Sequence, residues 1–232
     1  MSTHSARADH KKTVPQPDHD AKLAMDQMYR WTRHIYDATR KYYLLGRDTL
    51  IENLNAQPGE NVCEVGCGTG RNLRKMAAQY PRAWFYGLDA SDEMLKTAEK
   101  SLKKKNISNL FKLKQGYAQN FSSFDLFGLE QPLDKIVFSY ALSIIPPWRE
   151  SIDHALTVLK NGGEIHIVDF GGQNGLPAPF RRFLFWWLKQ FHVYHKPEIL
   201  NYLQRLDLEK KGTLELRHLY KGYAYYAVFR KN

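Results

Sequence analysis

The sequence predicts an α/β fold: a mostly parallel sheet with helices on both faces. Three observations predict it. Short apolar strands alternate with helical stretches from about residue 56 onward. A glycine-rich loop, Gly66-Cys67-Gly68-Thr69-Gly70, joins the first strand to the helix after it. The tail holds two strands, Thr213 to Tyr220 and Tyr223 to Phe229, flanking Lys221-Gly222 as in a hairpin.

The elements follow in order. Residues 1–20 hold Pro15, Pro17 and few apolar side chains, and are expected to be a disordered arm. Residues 21–55 read as a helical lid, with Leu23, Met28, Trp31, Ile35, Leu44, Leu45, Leu50 and Ile51 near helical spacing. Gly46 is a candidate break between two helices. The third unit, 56–232, begins with the strand Asn61 to Val65 and the helix Arg71 to Gln79. Ala83 to Leu88 is a strand, and Ser91 is placed to cap a helix ending near Lys105. Leu110 to Lys114 and Leu133 to Ser139 are strands. A helix follows Pro147 and is expected to stop at Asn161-Gly162-Gly163. Glu164 to Val168 is the fifth strand. Residues 178–206 read as an aromatic and basic insertion.

Composition narrows the function. The chain has 232 residues, 43% of them hydrophobic, enough for a full core. At 13%, the aromatic content excludes global disorder. The longest apolar run, Tyr223 to Phe229, is far short of the roughly 20 residues a membrane span needs. Residues 1–20 have no apolar h-region, so a secretory signal is not expected. The only cysteines, Cys63 and Cys67, cannot staple a fold of this size, and a cytoplasmic location follows. No further ligands accompany them, so no metal is expected. Net charge is +10. From Leu176 to Asn232 there are eleven Lys/Arg against four Asp/Glu, so most of the excess sits there. Such a bias suggests a polyanionic partner or simple solubility.

The glycine loop carries the chemistry. Its glycines let the backbone turn tightly and approach a ligand closely. Asp89 ends the second strand, 23 residues after Gly66, where an acid accepts hydrogen bonds from both ribose hydroxyls. Two nucleoside cofactors fit. A dinucleotide needs Gly-x-Gly-x-x-Gly, to admit its pyrophosphate. This loop instead reads Glu64-Val65-Gly66-Cys67-Gly68-Thr69-Gly70. Glu64 would repel a pyrophosphate and attract a cationic amino-acid end.

That pattern resembles motif I of the class I S-adenosylmethionine-dependent methyltransferases. The resemblance implies their Rossmann-like fold, a seven-stranded, mostly parallel sheet that ends in a reversed hairpin, and S-adenosylmethionine as cofactor. It implies cofactor contacts at Glu64, Gly66, Cys67, Gly68, Asp89 and Ala90. Met94 stands where an apolar residue packs on adenine, with helix packing as the competing reading. After the third strand, relatives often carry Gly-Asp-Ala. Here Tyr117 replaces the acid, so adenine contacts fall to Tyr117, Ala118 or Gln119. Ser139 and Tyr140 end the fourth strand, beside the methyl group.

Two further segments are more specific. Met28 to Asp48 (MYRWTRHIYDATRKYYLLGRD) and Ser139 to Trp148 (SYALSIIPPW) resemble the bacterial diacylglycerylhomoserine N-methyltransferases. That resemblance implies three methylations of a lipid amine, giving the betaine lipid diacylglyceryl-trimethylhomoserine. Aromatic faces stabilise such cations by roughly 0.5–2 kcal/mol each. Tyr36, Arg40 and Tyr43 share one helix face, with Tyr36 expected near the reacting centre and all three near the cofactor. Core packing is the competing reading of this stripe. Asp169, at the end of the fifth strand, and Tyr140 are candidate proton acceptors or head-group anchors. His166, mid-strand, reads as structural.

Phe180 to Tyr194 holds seven aromatics and three Lys/Arg, the composition of a helix lying in a membrane interface. Phe180, Arg181, Arg182, Trp186, Trp187 and Lys189 are its candidate lipid contacts. The expected partner is a lipid substrate at an anionic membrane, met by peripheral association with its inner face. A cap over an acyl-chain groove is the other reading, and burial as a purely structural helix a third. A phosphatidylethanolamine N-methyltransferase is the nearest enzyme rival. A nucleic-acid partner is not expected: adenine-amino methylases place Asn or Asp before Pro-Pro-aromatic, and here Ile145 precedes Pro146-Pro147-Trp148. A cofactor-binding module without catalysis is a third class.

Overall fold

The structure, a computed structural model, describes residues 44–103, 111–189 and 195–232. Helix α1 (Arg47–Asn53) precedes β1 (Asn61–Val65), α2 (Arg71–Gln79), β2 (Trp84–Asp89), α3 (Asp92–Lys103) and β3 (Phe111–Gln115). Then come α4 (Ser123–Phe127), β4 (Leu133–Ser139), α5 (Trp148–Val158) and β5 (Leu159–Phe170). Helices α6 (Ala178–Lys189) and α7 (Pro197–Leu208) follow, then β6 (Gly212–Leu219) and β7 (Ala224–Lys231). Among the described residues one sheet of seven strands forms, in the order β3-β2-β1-β4-β5-β7-β6. Strands β1 to β5 pair in parallel, and β7 runs antiparallel to both β5 and β6. The reversed hairpin stands as the sequence predicts.

Two apolar cores cover the two faces. One packs α1 through Leu50, Ile51 and Leu54 with Leu73, Val168 and Tyr226. Leu44, Leu50, Ile51 and Leu54, within the segment 21–55, are buried in this core. The other core packs α5 and α7 through Ile152, Ala155, Ile199 and Leu203 with Phe138, Ile167 and Tyr225. Alternation along β5 and β7 sends successive side chains to opposite cores, as a pleated strand requires.

One expectation needs correction, and two helices stand where the sequence reading named none. The helix after Pro147 ends at Val158, and Asn161-Gly162-Gly163 lies inside β5. Those glycines serve a bulge instead of a helix stop: Leu159 pairs with Leu133, then the register shifts before Glu164 meets Lys135. Gly162 has φ 74°, and a Cβ on Gly163 would lie 2.9 Å from the Asp134 carbonyl oxygen. The five-residue α4 has too little periodicity to read from sequence. Helix α7 was absorbed into the insertion, although Pro197 at its start and buried Ile199, Tyr202, Leu203 and Leu206 mark it.

Smaller expectations agree. Ser91 Oγ accepts from the Met94 N–H at 3.3 Å, capping α3. His166 is buried, with Nδ1 2.8 Å from the Tyr226 hydroxyl and Nε2 3.1 Å from Glu164. Lys135 and Arg230 also donate to Glu164, so its carboxylate sits well below the usual range despite partial burial. This polar knot holds β4, β5 and β7 together on the α1 side. Cys63 and Cys67 are buried free thiols, pushed up by burial.

Candidate functional site

The parallel register aligns the carboxyl ends of the strands. Val65 pairs with Leu88 and Phe138, Asp89 with Gln115, and Ser139 with Val168. The residues that follow therefore form one row: the glycine loop, Asp89, Gln115, Ser139-Tyr140 and Asp169. Adjacent strands are about 4.8 Å apart, so five strand ends span roughly 19 Å. Ligands of open α/β sheets bind along this edge.

The loop itself is built for close approach. Gly66, Gly68 and Gly70 all have positive φ. At Gly66 a Cβ would lie 2.9 Å from the Ala141 side chain, so only glycine lets the loop meet the segment after β4. Gly68 N–H donates to Asp89 Oδ2 at 2.7 Å, and Ser91 N–H to Asp89 Oδ1 at 2.9 Å. Gln115 Nε2 donates to the Ala90 carbonyl at 3.0 Å, tying the ends of β2 and β3.

Glu64 is buried beneath the loop. Its Oε1 accepts from Asn72 Nδ2 at 2.7 Å, while Oε2 is buried without a partner. Burial pushes its carboxyl up to about 8, against the opposing pull of Asn72 and of Arg47. Arg47 is itself buried and donates from Nε to the Leu44 carbonyl at 3.1 Å. Sequence reasoning missed Arg47, because nothing local marks an α1 arginine as lying near a β1 acid. The Ser139 hydroxyl is likewise buried and unpartnered. Two orphaned polar atoms beside an open glycine loop fit a ligand with an amino-acid end and a nucleoside.

Tyr140 has φ 55°, donates its hydroxyl to the Leu45 carbonyl, and meets Phe170 edge-on at 4.6 Å. Burial pushes its pKa well up. Asp169 is buried, and its two oxygens accept from Phe170 N–H at 2.8 Å and Ser143 N–H at 3.0 Å. Burial raises it to about 6, less than it would without those bonds and the nearby Lys196 charge. Met94 and Ala118 are buried; Tyr117 and Gln119 are half-buried beyond β3. Tyr36, Arg40 and Tyr43 lie outside the described residues.

Helix α6 turns two different faces outward and inward. Leu184 is buried and Trp187 packs against the same core. Phe183 and Trp186, one turn apart, are 56% and 59% exposed, with ring centroids 6.0 Å apart. Arg182 is exposed beside them and Arg181 half-buried. The side chains of Phe180 and Lys189 lie outside the described residues.

Residues 56–206, about two thirds of the chain, match the family model described as "Methyltransferase domain". The chain belongs to that methyltransferase-domain family. Its relatives include a demethylmenaquinone methyltransferase of Geobacillus sp., 26% identical over 145 residues, 57% of this chain and 59% of that one. The enzyme of the same name from Listeria welshimeri is 24% identical over 192 residues, 80% of this chain and 79% of that one. The chain thus spans less than two thirds of the first relative's length and more of the second's. Among solved structures, the plantazolicin methyltransferase BpumL in complex with a triazolic analog and SAH aligns with TM-score 0.59. It is 17% identical and covers 93% of this chain and 92% of its own. An O-methyltransferase family 2 protein from Planctomyces limnophilus gives TM-score 0.65, at 18% identity over 93% and 66%. These likenesses show the fold. The methyltransferase family, this fold and the Glu64–Gly70 loop make S-adenosylmethionine the cofactor of this methyltransferase. Among the described residues, no helix is long and apolar enough to cross a membrane.

Proposed function

We propose that this methyltransferase acts on the amine of a membrane lipid, converting diacylglycerylhomoserine to diacylglyceryl-trimethylhomoserine in three transfers. One observation carries the reading. The segment Ser139 to Trp148, which resembles the lipid N-methyltransferases, begins at the end of β4 and abuts the glycine loop through Ala141. The resemblance therefore falls on the wall between the donor and the row of strand ends beyond it. The second resembling segment, Met28 to Asp48, supports the same choice. The exposed Phe183, Trp186 and Arg182 suit a substrate that stays in a membrane, reached by peripheral association with its cytoplasmic face.

S-adenosylmethionine supplies a methyl group on a sulfonium. The acceptor amine would have to be neutral to take that methyl group, so this chain's residues would have to hold the amine and take its proton first. The chain's task is alignment and charge, and effective molarity can supply most of the rate. Glu64, with Gly66, Cys67 and Gly68, is suited to the amino-acid end of the cofactor, and Asp89 to the ribose. Ala90, Met94, Tyr117, Ala118 and Gln119 border the adenine side. Asp169 is the carboxylate at the acceptor end that can hold an ammonium or take its proton. Tyr36, Arg40 and Tyr43 are carried as cofactor contacts by the resemblance of Met28 to Asp48 alone.

A second reading has its own support: the Listeria and Geobacillus relatives are named for methylation of demethylmenaquinone. A methyl-transfer assay with labelled cofactor separates the readings. Label in the homoserine lipid is the expected result. Label only in demethylmenaquinol, in phosphatidylethanolamine or in RNA would overturn it.

A further inference from the structure

Gln173 lies three residues past the end of β5, in the loop Gly171-Gly172-Gln173-Asn174-Gly175. It is 0% exposed, and neither Nε2 nor Oε1 of its side chain has a partner. A fully buried amide with both ends unsatisfied costs stability unless a ligand completes it. Its backbone adds a second cost, since φ is 57°, a left-handed conformation that a glutamine adopts reluctantly.

The surroundings hold that strained residue firmly. Gly171 N–H donates to the Tyr223 carbonyl at 2.8 Å, Gln173 N–H to Gly222 at 2.7 Å, and Gly175 N–H to Lys221 at 3.1 Å. Leu176 N–H closes the turn onto the Gln173 carbonyl at 3.0 Å. A Cβ at Gly171 would sit 2.3 Å from the Gly222 carbonyl oxygen, so the two chain segments could not run so close with any other residue there. Strain and an orphaned amide, both fixed by four backbone bonds, mark a residue kept for binding.

The place of the loop names its ligand. Strand β5 is two strands from β1, so this loop stands roughly 10 Å along the row from the glycine loop, with β4 between. The cofactor's amino-acid end belongs at β1. The β5 loop therefore serves the acceptor. We propose that Gln173 is a specificity-determining residue that reads the α-amino-acid head group of the acceptor lipid. Nε2 donates to the head-group carboxylate in all three transfers, and Oε1 accepts from the amine N–H in the first two, since the neutral tertiary amine of the third has none. This assignment rests on the homoserine-lipid reading above. An amide is suited to such a zwitterion because it offers one donor group and one acceptor at fixed spacing.

The test uses the full chain and the variants Gln173→Met and Gln173→Glu. Turnover is measured on diacylglycerylhomoserine and on a diacyl lipid bearing the same amine without the carboxylate. Cofactor affinity and thermal midpoint are measured alongside. Gln173→Met is expected to raise KM for the homoserine lipid about tenfold and to erase the preference for the carboxylate-bearing lipid. Cofactor affinity stays within about twofold, and the midpoint holds or rises, because an unpaired buried amide has gone. Gln173→Glu places a negative charge against the carboxylate and is expected to raise KM further. A stable Met variant with unchanged KM and unchanged preference would overturn the assignment, leaving the lipid reading intact. A wild-type enzyme that leaves both lipids unmethylated would overturn the lipid reading, and the assignment with it.

Discussion

The Gly68 N–H donates to Asp89 Oδ2 at 2.7 Å, so the acid at the end of β2 shapes the glycine loop after β1. Its other oxygen is held by the Ser91 N–H. The carboxylate is thus held in orientation by the glycine loop and by the turn after β2, as the proposed acceptor of a ribose's hydroxyls. Asp89→Ala removes the proposed ribose acceptor and the bond to the Gly68 N–H. Cofactor affinity is expected to fall by about 1.5–3 kcal/mol, the worth of hydrogen bonds to a charged group. Isothermal calorimetry measures it; unchanged affinity would remove Asp89 from the site.

Glu64 predicts a pH dependence. Its folded pKa, about 8, lies above the usual 4.5. Between those values the folded protein holds a proton that the unfolded chain has released. The stability this contributes is full below about pH 4.5 and is lost as pH rises toward 8. Asp169, raised to about 6, acts in the same direction but is finished by then. From pH 6 to 8 the thermal midpoint of the cofactor-free enzyme should therefore fall, and Glu64→Gln should flatten that slope. Cofactor binding should run the other way. A cationic amino group favours the ionised carboxylate, so affinity rises with pH and binding releases a proton. Calorimetry in buffers of different ionisation heat counts that proton.

Tyr140→Phe separates a tether from a proton acceptor. The hydroxyl proton is already given to the Leu45 carbonyl, and burial keeps the phenol neutral. A neutral phenol is a weak base. The variant leaves a carbonyl unpaired and should lose about 1–3 kcal/mol of stability in denaturant titration. Measured well below the midpoint, kcat should stay within about threefold. A collapse in kcat with stability intact would put the hydroxyl in the reaction.

Much of the fold was legible, for physical reasons that differ by element. Strands Asn61–Val65 and Leu133–Ser139 are apolar runs bounded by polar or glycine residues, and their limits agree with the structure. Helix Arg71–Gln79 keeps a clean apolar stripe of Leu73, Met76 and Ala77 and was equally plain. Asn161-Gly162-Gly163 misled, because glycine at positive φ serves a strand bulge as readily as a helix end. In the site, Glu64, the glycines and Asp89 could be read because their spacing is local to one βαβ unit. Arg47 and Gln173 could not. The first acts on Glu64 through its charge from another element, and the second matters only because tertiary packing buries it with nothing to bond.

Helix α6 carries the last prediction, that anionic membranes recruit this methyltransferase. Its inward face is accounted for by Leu184 and Trp187 in the core. Its outward face leaves two aromatic rings, Phe183 and Trp186, more than half exposed beside Arg182. Water gains nothing from those rings, whereas the acyl boundary of a bilayer takes them up, and this apolar contribution is insensitive to salt. Each basic residue near an anionic surface adds about 1 kcal/mol, which screening removes beyond a Debye length. Binding should therefore divide. Raising salt should weaken co-sedimentation with anionic vesicles without abolishing it. Phe183→Ser with Trp186→Ser should remove the remainder that survives salt, while cofactor affinity holds, since neither ring is part of the strand-end row. Arg181→Glu with Arg182→Glu should mimic high salt. Equal binding to neutral and anionic vesicles would defeat the electrostatic half. No binding to either, with lipid methylation still efficient, would defeat the whole and leave the outward rings for a different contact.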